Sequence, residues 1–262
     1  MNSAAGTESG RNPNHGPGDS AGSIVIVLHQ AGSSAGRVGQ WLVRHGYRLD
    51  IRKPPLGDPL PKDLSGYAGA VVFGGPMSAN DDEPYVHREI DWCGHCLQQG
   101  VPFLGICLGA QMLVRALGGM VNSHPKCHAE IGYYPLYATE QGNALLPGWP
   151  AMIYQWHREG FTLPNGAQML ATGDLFTEQA FSVGPSAFGV QFHTELTEVM
   201  MRRWLVRGRE RLGLPSAQQR QAHIEGRMMY DAPIRDWLDR FLKVWLASDQ
   251  RRMMDLNERK TA

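Results

Sequence analysis

Cys107 closes the apolar run Val101-Pro102-Phe103-Leu104-Gly105-Ile106, and a helical pattern from Leu108 to Leu117 begins at once. This order predicts a strand, a tight turn and a helix, with a thiol at the turn. The N-terminal end of a helix carries partial positive charge, which favours thiolate over thiol and so favours nucleophilic attack. Far along the chain, Gly189-Val190-Gln191-Phe192-His193-Thr194-Glu195 supplies a histidine and a carboxylate two positions apart. Together these residue types permit acyl transfer. Cys107 would attack a carbonyl carbon, His193 would take and return the proton, and Glu195 would hold the imidazole in the right tautomer. The resulting oxyanion needs donors. The backbone N–H of Leu108 follows the nucleophile directly, and Gly75 in Phe73-Gly74-Gly75-Pro76 lets a second N–H approach closely. Gly105 and Gly109 flank the cysteine and relieve crowding where a sharp elbow must turn.

Other groupings could do chemistry but lack a supporting context. Trp92-Cys93-Gly94-His95-Cys96 spells the active-site motif of protein disulfide isomerases, yet it falls inside a helical pattern from Glu83 to Gln99. There Ile90, Cys93 and Leu97 share one apolar face, so a core position is expected rather than a redox site. His124, Cys127 and His128 have spacings that suit a metal, but they sit beside Pro125 in a loop with no fourth ligand indicated. Neither a metal nor a cofactor is expected. The twelve methionines read as helix filler.

The elements that must position Cys107 alternate along the first half. Ser23 to Leu28 reads as a strand buried on both faces, Val38 to His45 as a helix, and Tyr47 to Ile51 as a second strand. Pro54 to Pro61 is a loop. Ala70 to Phe73 forms a third strand closed by Gly74-Gly75-Pro76, and a helix over Glu83–Gln99 has Pro84 at its first turn. Such alternation predicts a mostly parallel α/β sheet with helices on both faces, whose ligands bind beyond the carboxyl ends of the strands. Gly74-Gly75 and Cys107 both lie at such ends. From Gly119 to Val190 short strands over 132–137, 151–154, 168–171, 179–183 and 187–192 predict antiparallel additions that finish the sheet. Leu196 to Leu212 and Pro233 to Leu246 read as helices, the second with Ile234, Trp237, Leu238, Phe241, Leu242 and Trp245 on one stripe. The expected organisation is a disordered tail over 1–22, one domain over 23–248 and a polar, frayed tail over 249–262.

Bulk properties narrow the function classes. Lys+Arg 25 balances Asp+Glu 25, so no global charge points to nucleic acid or an anionic membrane. The balance is uneven: from Met200 onward there are 14 basic and 8 acidic residues. A solvated basic helical surface accounts for this, and a docking face for an acidic partner is the sharper alternative. Four cysteines do not make a disulfide framework in a chain of 262 residues. No apolar run reaches the roughly 18 residues of a membrane span, and no signal-peptide pattern opens the chain. Cytoplasmic residence is expected. Oligomeric state is not legible.

Taken as a set, the motifs resemble class I (triad-type) glutamine amidotransferases. Gly105-Ile106-Cys107-Leu108-Gly109-Ala110-Gln111 is similar to their nucleophile elbow, Phe73-Gly74-Gly75-Pro76-Met77 to their oxyanion loop, and Gln191-Phe192-His193-Thr194-Glu195 to their His-Pro-Glu segment. Glu130-Ile131-Gly132 and Gln155-Trp156-His157 also resemble family positions, in particular those of the amidotransferase domain of GMP synthetases and its free-standing relatives. The resemblance runs from about Ser23 to Val199. It implies a flavodoxin-like fold and hydrolysis of the glutamine side-chain amide through a γ-glutamyl thioester on Cys107. It also implies that Gly74 and Gln111 help hold the glutamine, while the loop carrying Trp156 and His157 contacts its amino-acid end. His157 is thereby set at the substrate rim, leaving His193 as the base. Thr194 stands where proline is usual, which alters the loop and removes no catalytic group. No phosphate loop of the form Ser-Gly-Gly-x-Asp-Ser follows Glu195, so this chain is not expected to make GMP alone. The partners implied are glutamine or a γ-glutamyl substrate and a separate synthase subunit receiving ammonia. A γ-glutamyl peptidase with the same triad, and a docking subunit with little activity of its own, are the alternatives.

Overall fold

The structure, a computed structural model, describes the backbone of residues 21–261 and the side chains through residue 247. Residues 1–20 of the expected tail, and the side chains of 249–262, lie outside the described residues. In chain order the first half runs β1 (Ser23–Val27), α1 (Gly36–Arg44), β2 (Arg48–Arg52), β3 (Tyr67–Val72), α2 (Pro84–Gln99), β4 (Phe103–Ile106) and α3 (Leu108–Ala116). The second half runs β5 (Val121–Ser123), β6 (Glu130–Pro135), β7 (Tyr137–Ala138), α4 (Glu140–Leu145), β8 (Met152–His157) and β9 (Glu159–Phe161). It continues with β10 (Gln168–Thr172), β11 (Glu178–Val183), β12 (Ala187–Val190), α5 (Glu198–Arg207) and α6 (Arg220–Thr261).

The main sheet has the order β2-β1-β3-β4-β12-β11-β10-β7. Its first five strands are parallel, and β11, β10 and β7 add on antiparallel. This is the flavodoxin-like order, with β12 in the fifth parallel place. Alternation along β1 explains the layers. Ile24 and Ile26 face one core with Val38, Trp41 and Leu42 of α1 and the Ile234–Trp245 stripe of α6. Val25 and Val27 face the other, with Val86 and Trp92 of α2 and Leu108 and Leu113 of α3. A strand with both faces covered must be apolar throughout, which is why β1 and β3 read as continuous hydrophobic runs.

Three expectations are corrected. The strands near residues 132–137 and 151–154 do not join the main sheet: β6 pairs with β8 as a separate two-stranded ribbon, and β5 with β9 as another. The ribbon's aromatic residues are drawn toward α6 instead, Tyr133 packing on Tyr230 with ring centroids 5.6 Å apart, and Tyr154 Oη bonding His223 Nδ1 at 3.0 Å. The last helix starts at Arg220, with Pro233 inside it. Proline removes one N–H from the helical ladder, but burial of His223 before it and of Ile234 and Trp237 after it carries the helix through. The expected Leu196–Leu212 helix stops at Arg207 and gives way to a short 3-10 turn over Arg209–Gly213. Among the described residues no helix is long and apolar enough to cross a membrane.

Candidate active site

Cys107 lies between β4 and α3 with φ 52° and ψ −107°, a left-handed backbone that non-glycine residues rarely adopt. The turn is held from both sides: Cys107 N–H donates to Val190 O at 2.8 Å, and Gln111 N–H donates to Cys107 O at 3.0 Å. Gly109 makes the elbow feasible, since a β-carbon there would stand 2.0 Å from Val72 O. Leu108 is the first residue of α3, so its N–H has no carbonyl one turn earlier to bond.

His193 follows β12 and is fixed by the ribbon, its N–H donating to Tyr154 O at 2.9 Å. Its Nδ1 meets Glu195 Oε1 at 2.7 Å, and both side chains are buried. The other ring nitrogen is left for the Cys107 thiol. Burial works against a charged imidazole here. The Glu195 carboxylate and then Cys107 outweigh it, and hold His193 up at about 10. Trp204 of α5 meets the imidazole edge-on, ring centroids 4.9 Å apart. Glu195 is anchored through its backbone, where its carbonyl accepts from Arg37 N–H at 2.8 Å at the start of α1. Gly36 permits that approach: its φ is +53°, and a β-carbon would sit 2.2 Å from Glu195 O.

Gly74 lies against both reactive groups. A β-carbon on it would stand 3.0 Å from His193 Cε1 and 3.8 Å from Cys107 Sγ. Gly74, Gly75, Cys107, Trp156, His193 and Glu195 all line one cavity of about 190 Å³ at the carboxyl end of the sheet. Of the remaining expected site residues, Leu108 is buried beside the cavity. Gln111 and His157 are placed in a buried polar cluster outside its lining. Gln111 Nε2 donates to Glu159 O at 2.9 Å and to Gln191 Oε1 at 3.1 Å. His157 bonds Glu130 Oε2 through Nε2 at 3.0 Å, so it has a carboxylate partner that only the fold supplies.

Three arginines were not foreseen as site residues. Arg203 and Arg207 of α5 and Arg211 of the following turn line the cavity together with Trp204. Their four-residue spacing was available as a signal, but the basic stretch it belongs to read as solvated surface. Cys93 and Cys96 are both buried in α2 as free thiols, and burial pushes each thiol up, which leaves them poor nucleophiles. His128 bonds Ser216 Oγ at 2.6 Å, and no cluster of three or more metal-ligating side chains forms among the described residues.

A mostly parallel sheet thus brings a strained thiol, a carboxylate-held histidine and a glycine pair together at the ends of three adjacent strands of a flavodoxin-like scaffold. The model of the glutamine amidotransferase class-I family matches residues 33–206, and the chain belongs to that family. The glutamine amidotransferase-like protein YfeJ of Salmonella typhimurium is 32% identical over 185 residues, 66% of this chain and 76% of that protein. The glutamine-hydrolysing GMP synthase of Porphyromonas gingivalis is 35% identical over 52% of this chain, but the match spans only 26% of the synthase. Gamma-glutamyl peptidase 3 of Arabidopsis thaliana is 26% identical over 55% of this chain and 60% of its own length. The crystal structure of a glutamine amido transferase from Methylobacillus flagellatus superposes with a TM-score of 0.81 at 27% identity, covering 87% of this chain and 94% of that one.

Proposed function

We propose that this chain hydrolyses the side-chain amide of glutamine. Cys107 Sγ attacks the amide carbon, its proton passing to His193, and the oxyanion is met by the N–H groups of Leu108 and Gly75. His193 returns the proton to the nitrogen as the C–N bond breaks, ammonia leaves, and a γ-glutamyl thioester remains. Water, deprotonated by His193, then cleaves the thioester and releases glutamate. Glu195 keeps the imidazole oriented throughout. The observation that carries this reading is the seating of Gly74 against both the Cys107 thiol and the His193 ring on the wall of one cavity. Gln111 and His157 act from outside the cavity, where both bond the Glu159 carbonyl and Gln111 also bonds Gln191. Ammonia passes to a separate synthase subunit, as the similarity to GMP synthases supports, in a reducing compartment such as the cytoplasm.

A second reading, a γ-glutamyl peptidase with the same three groups, is favoured by the basic wall. Arg203, Arg207 and Arg211 line the cavity with two carboxylates, Glu195, which is taken up by His193, and Glu210, which lies 4.0 Å from Arg211. One guanidinium suffices for the α-carboxylate of a γ-glutamyl group, leaving positive charge for a second acid on the leaving half. The test is glutamate release from glutamine and from γ-glutamyl dipeptides, by wild type and Cys107→Ala. Glutamine turnover that vanishes in the variant supports the first reading, and a strong preference for the dipeptides supports the second. No turnover of either, with no alkylation of Cys107 by a glutamine-like electrophile, sinks both.

A further inference from the structure

Behind the glycine pair lies a buried polar couple with no part in the mechanism above. His29 follows β1, and Glu89 sits in the middle of α2; they are 2% and 0% exposed. His29 Nε2 meets Glu89 Oε2 at 2.8 Å, and His29 Nδ1 meets Gly74 O at 3.1 Å. The other Glu89 oxygen, Oε1, has no partner among the described residues, so the carboxylate serves His29 alone. Glu89 is a buried residue of α2 beside Val86, Trp92 and Cys93, which belong to an apolar core with Val25 and Val27 of β1, where apolar side chains would pack at less cost than an ionisable pair.

A carbonyl oxygen can only accept, so His29 Nδ1 carries a proton and donates it to Gly74. The contact with Glu89 is then met by an imidazolium facing a carboxylate, or by a neutral ring facing the protonated acid. Either way Nδ1–H points at Gly74 O. The carbonyl of Gly74 and the N–H of Gly75 belong to one planar trans peptide and point in opposite directions. His29 also packs against Gly75 from the same side, because a β-carbon there would lie 2.9 Å from His29 Cβ. The front of this peptide faces Cys107 and His193, which a β-carbon on Gly74 would touch. Gly75 N–H bonds no acceptor among the described residues.

We infer that His29, held by Glu89, is a positioning residue: it pins the Gly74–Gly75 peptide so that Gly75 N–H faces the oxyanion formed at Cys107. This rests on the hydrolase reading of the site. Without the His29 bond the peptide is free to rotate, and the donor turns away without any loss of the thiol or the imidazole.

The experiment compares wild type, His29→Leu, His29→Asn and Glu89→Gln. Three readouts are taken: steady-state glutamate release from the better of glutamine and a γ-glutamyl dipeptide, the rate of Cys107 alkylation by iodoacetamide, and thermal melting. Alkylation is a direct displacement at carbon and needs the thiolate but no oxyanion donor. His29→Leu is expected to lower kcat about 10- to 100-fold, somewhat less than outright deletion of such a donor, with KM little changed and alkylation at the wild-type rate. His29→Asn, whose amide can still donate to Gly74 O, recovers part of kcat, and Glu89→Gln falls between. If His29→Leu does not fold, Glu89→Gln is read against the same criteria. Unchanged kcat, or an alkylation rate that falls as far as kcat does, overturns the positioning role. A wild-type chain that releases no glutamate overturns instead the hydrolase reading, and this inference with it.

Discussion

His193 carries the largest electrostatic consequence at the level of single residues. Its folded pKa of about 10 lies above the ordinary 6.5, raised by Glu195 and Cys107 against burial. A raised pKa means that the protonated ring stabilises the fold fully below about 6.5, and that this contribution is lost as pH climbs through about 10. Urea midpoints should therefore fall from about pH 6 to 10 in wild type, and fall less in Glu195→Gln, which lacks the leading charge. Cys93 and Cys96 act in the same direction but equally in both chains, so the difference isolates His193. At the basic wall, Arg207→Gln should raise KM for a γ-glutamyl dipeptide with a free carboxylate by about fivefold, and leave KM for its neutral amide unchanged. Cys107, His193 and Glu195 were legible as a candidate set because each sits in a short local pattern: an apolar run ending in a Gly-flanked thiol, and His-x-Glu at a strand end. His29, Glu89 and the arginines were not, because their meaning arises only when β1 and α2 meet behind the glycine pair and α5 lines the cavity in front of it. The Glu130 partner of His157 was illegible for the same reason, since it lies across the β6–β8 ribbon.

Elements set the site's tolerance. The start of α3 can lie on β3 only because residue 109 has no side chain, and Val72 O would be met at 2.0 Å. Gly109→Ala should destabilise by about 1–3 kcal/mol through overpacking and also lower kcat, because it moves Cys107. Gly213→Ala, with open space around it, should change stability by less than about 0.5 kcal/mol. Chemical denaturation of the two variants beside wild type checks both. The parallel strands were readable since burial on both faces forces continuous apolar runs, and the helices since their stripes recur. The β6–β8 ribbon was not, because a strand's sequence records which face is buried and not which neighbour it pairs with. Pro233 marked a helix start by local rules, and tertiary packing overrode them.

For the whole molecule, α6 is the closing layer. Trp237 stacks on Phe241 with centroids 4.7 Å apart, packs on Trp149 at 4.7 Å, and meets Phe192 edge-on at 5.9 Å. Phe192 is the residue before His193, so the C-terminal layer presses on the active loop from beneath. Trp237→Ala should cost about 3–5 kcal/mol, read as a lowered melting temperature, and should reduce kcat in the surviving folded fraction. The basic excess of the last third divides accordingly. Part faces the cavity from α5, and part is paired along α6, as in Arg227–Asp231 at 3.2 Å and Lys243–Asp239 at 2.6 Å.

The left-handed backbone at Cys107 gives the elbow an evolutionary signature. A non-glycine residue in that conformation costs the fold about 1–3 kcal/mol, and glycine would remove the cost. On the proposed mechanism, selection for stability and selection for chemistry therefore pull this one codon in opposite directions. Cys107→Gly should melt above wild type, whereas Cys107→Ala, equally inactive, should not. A lineage that abandoned the reaction but kept the scaffold would be expected to drift toward glycine here before any other part of the site decayed.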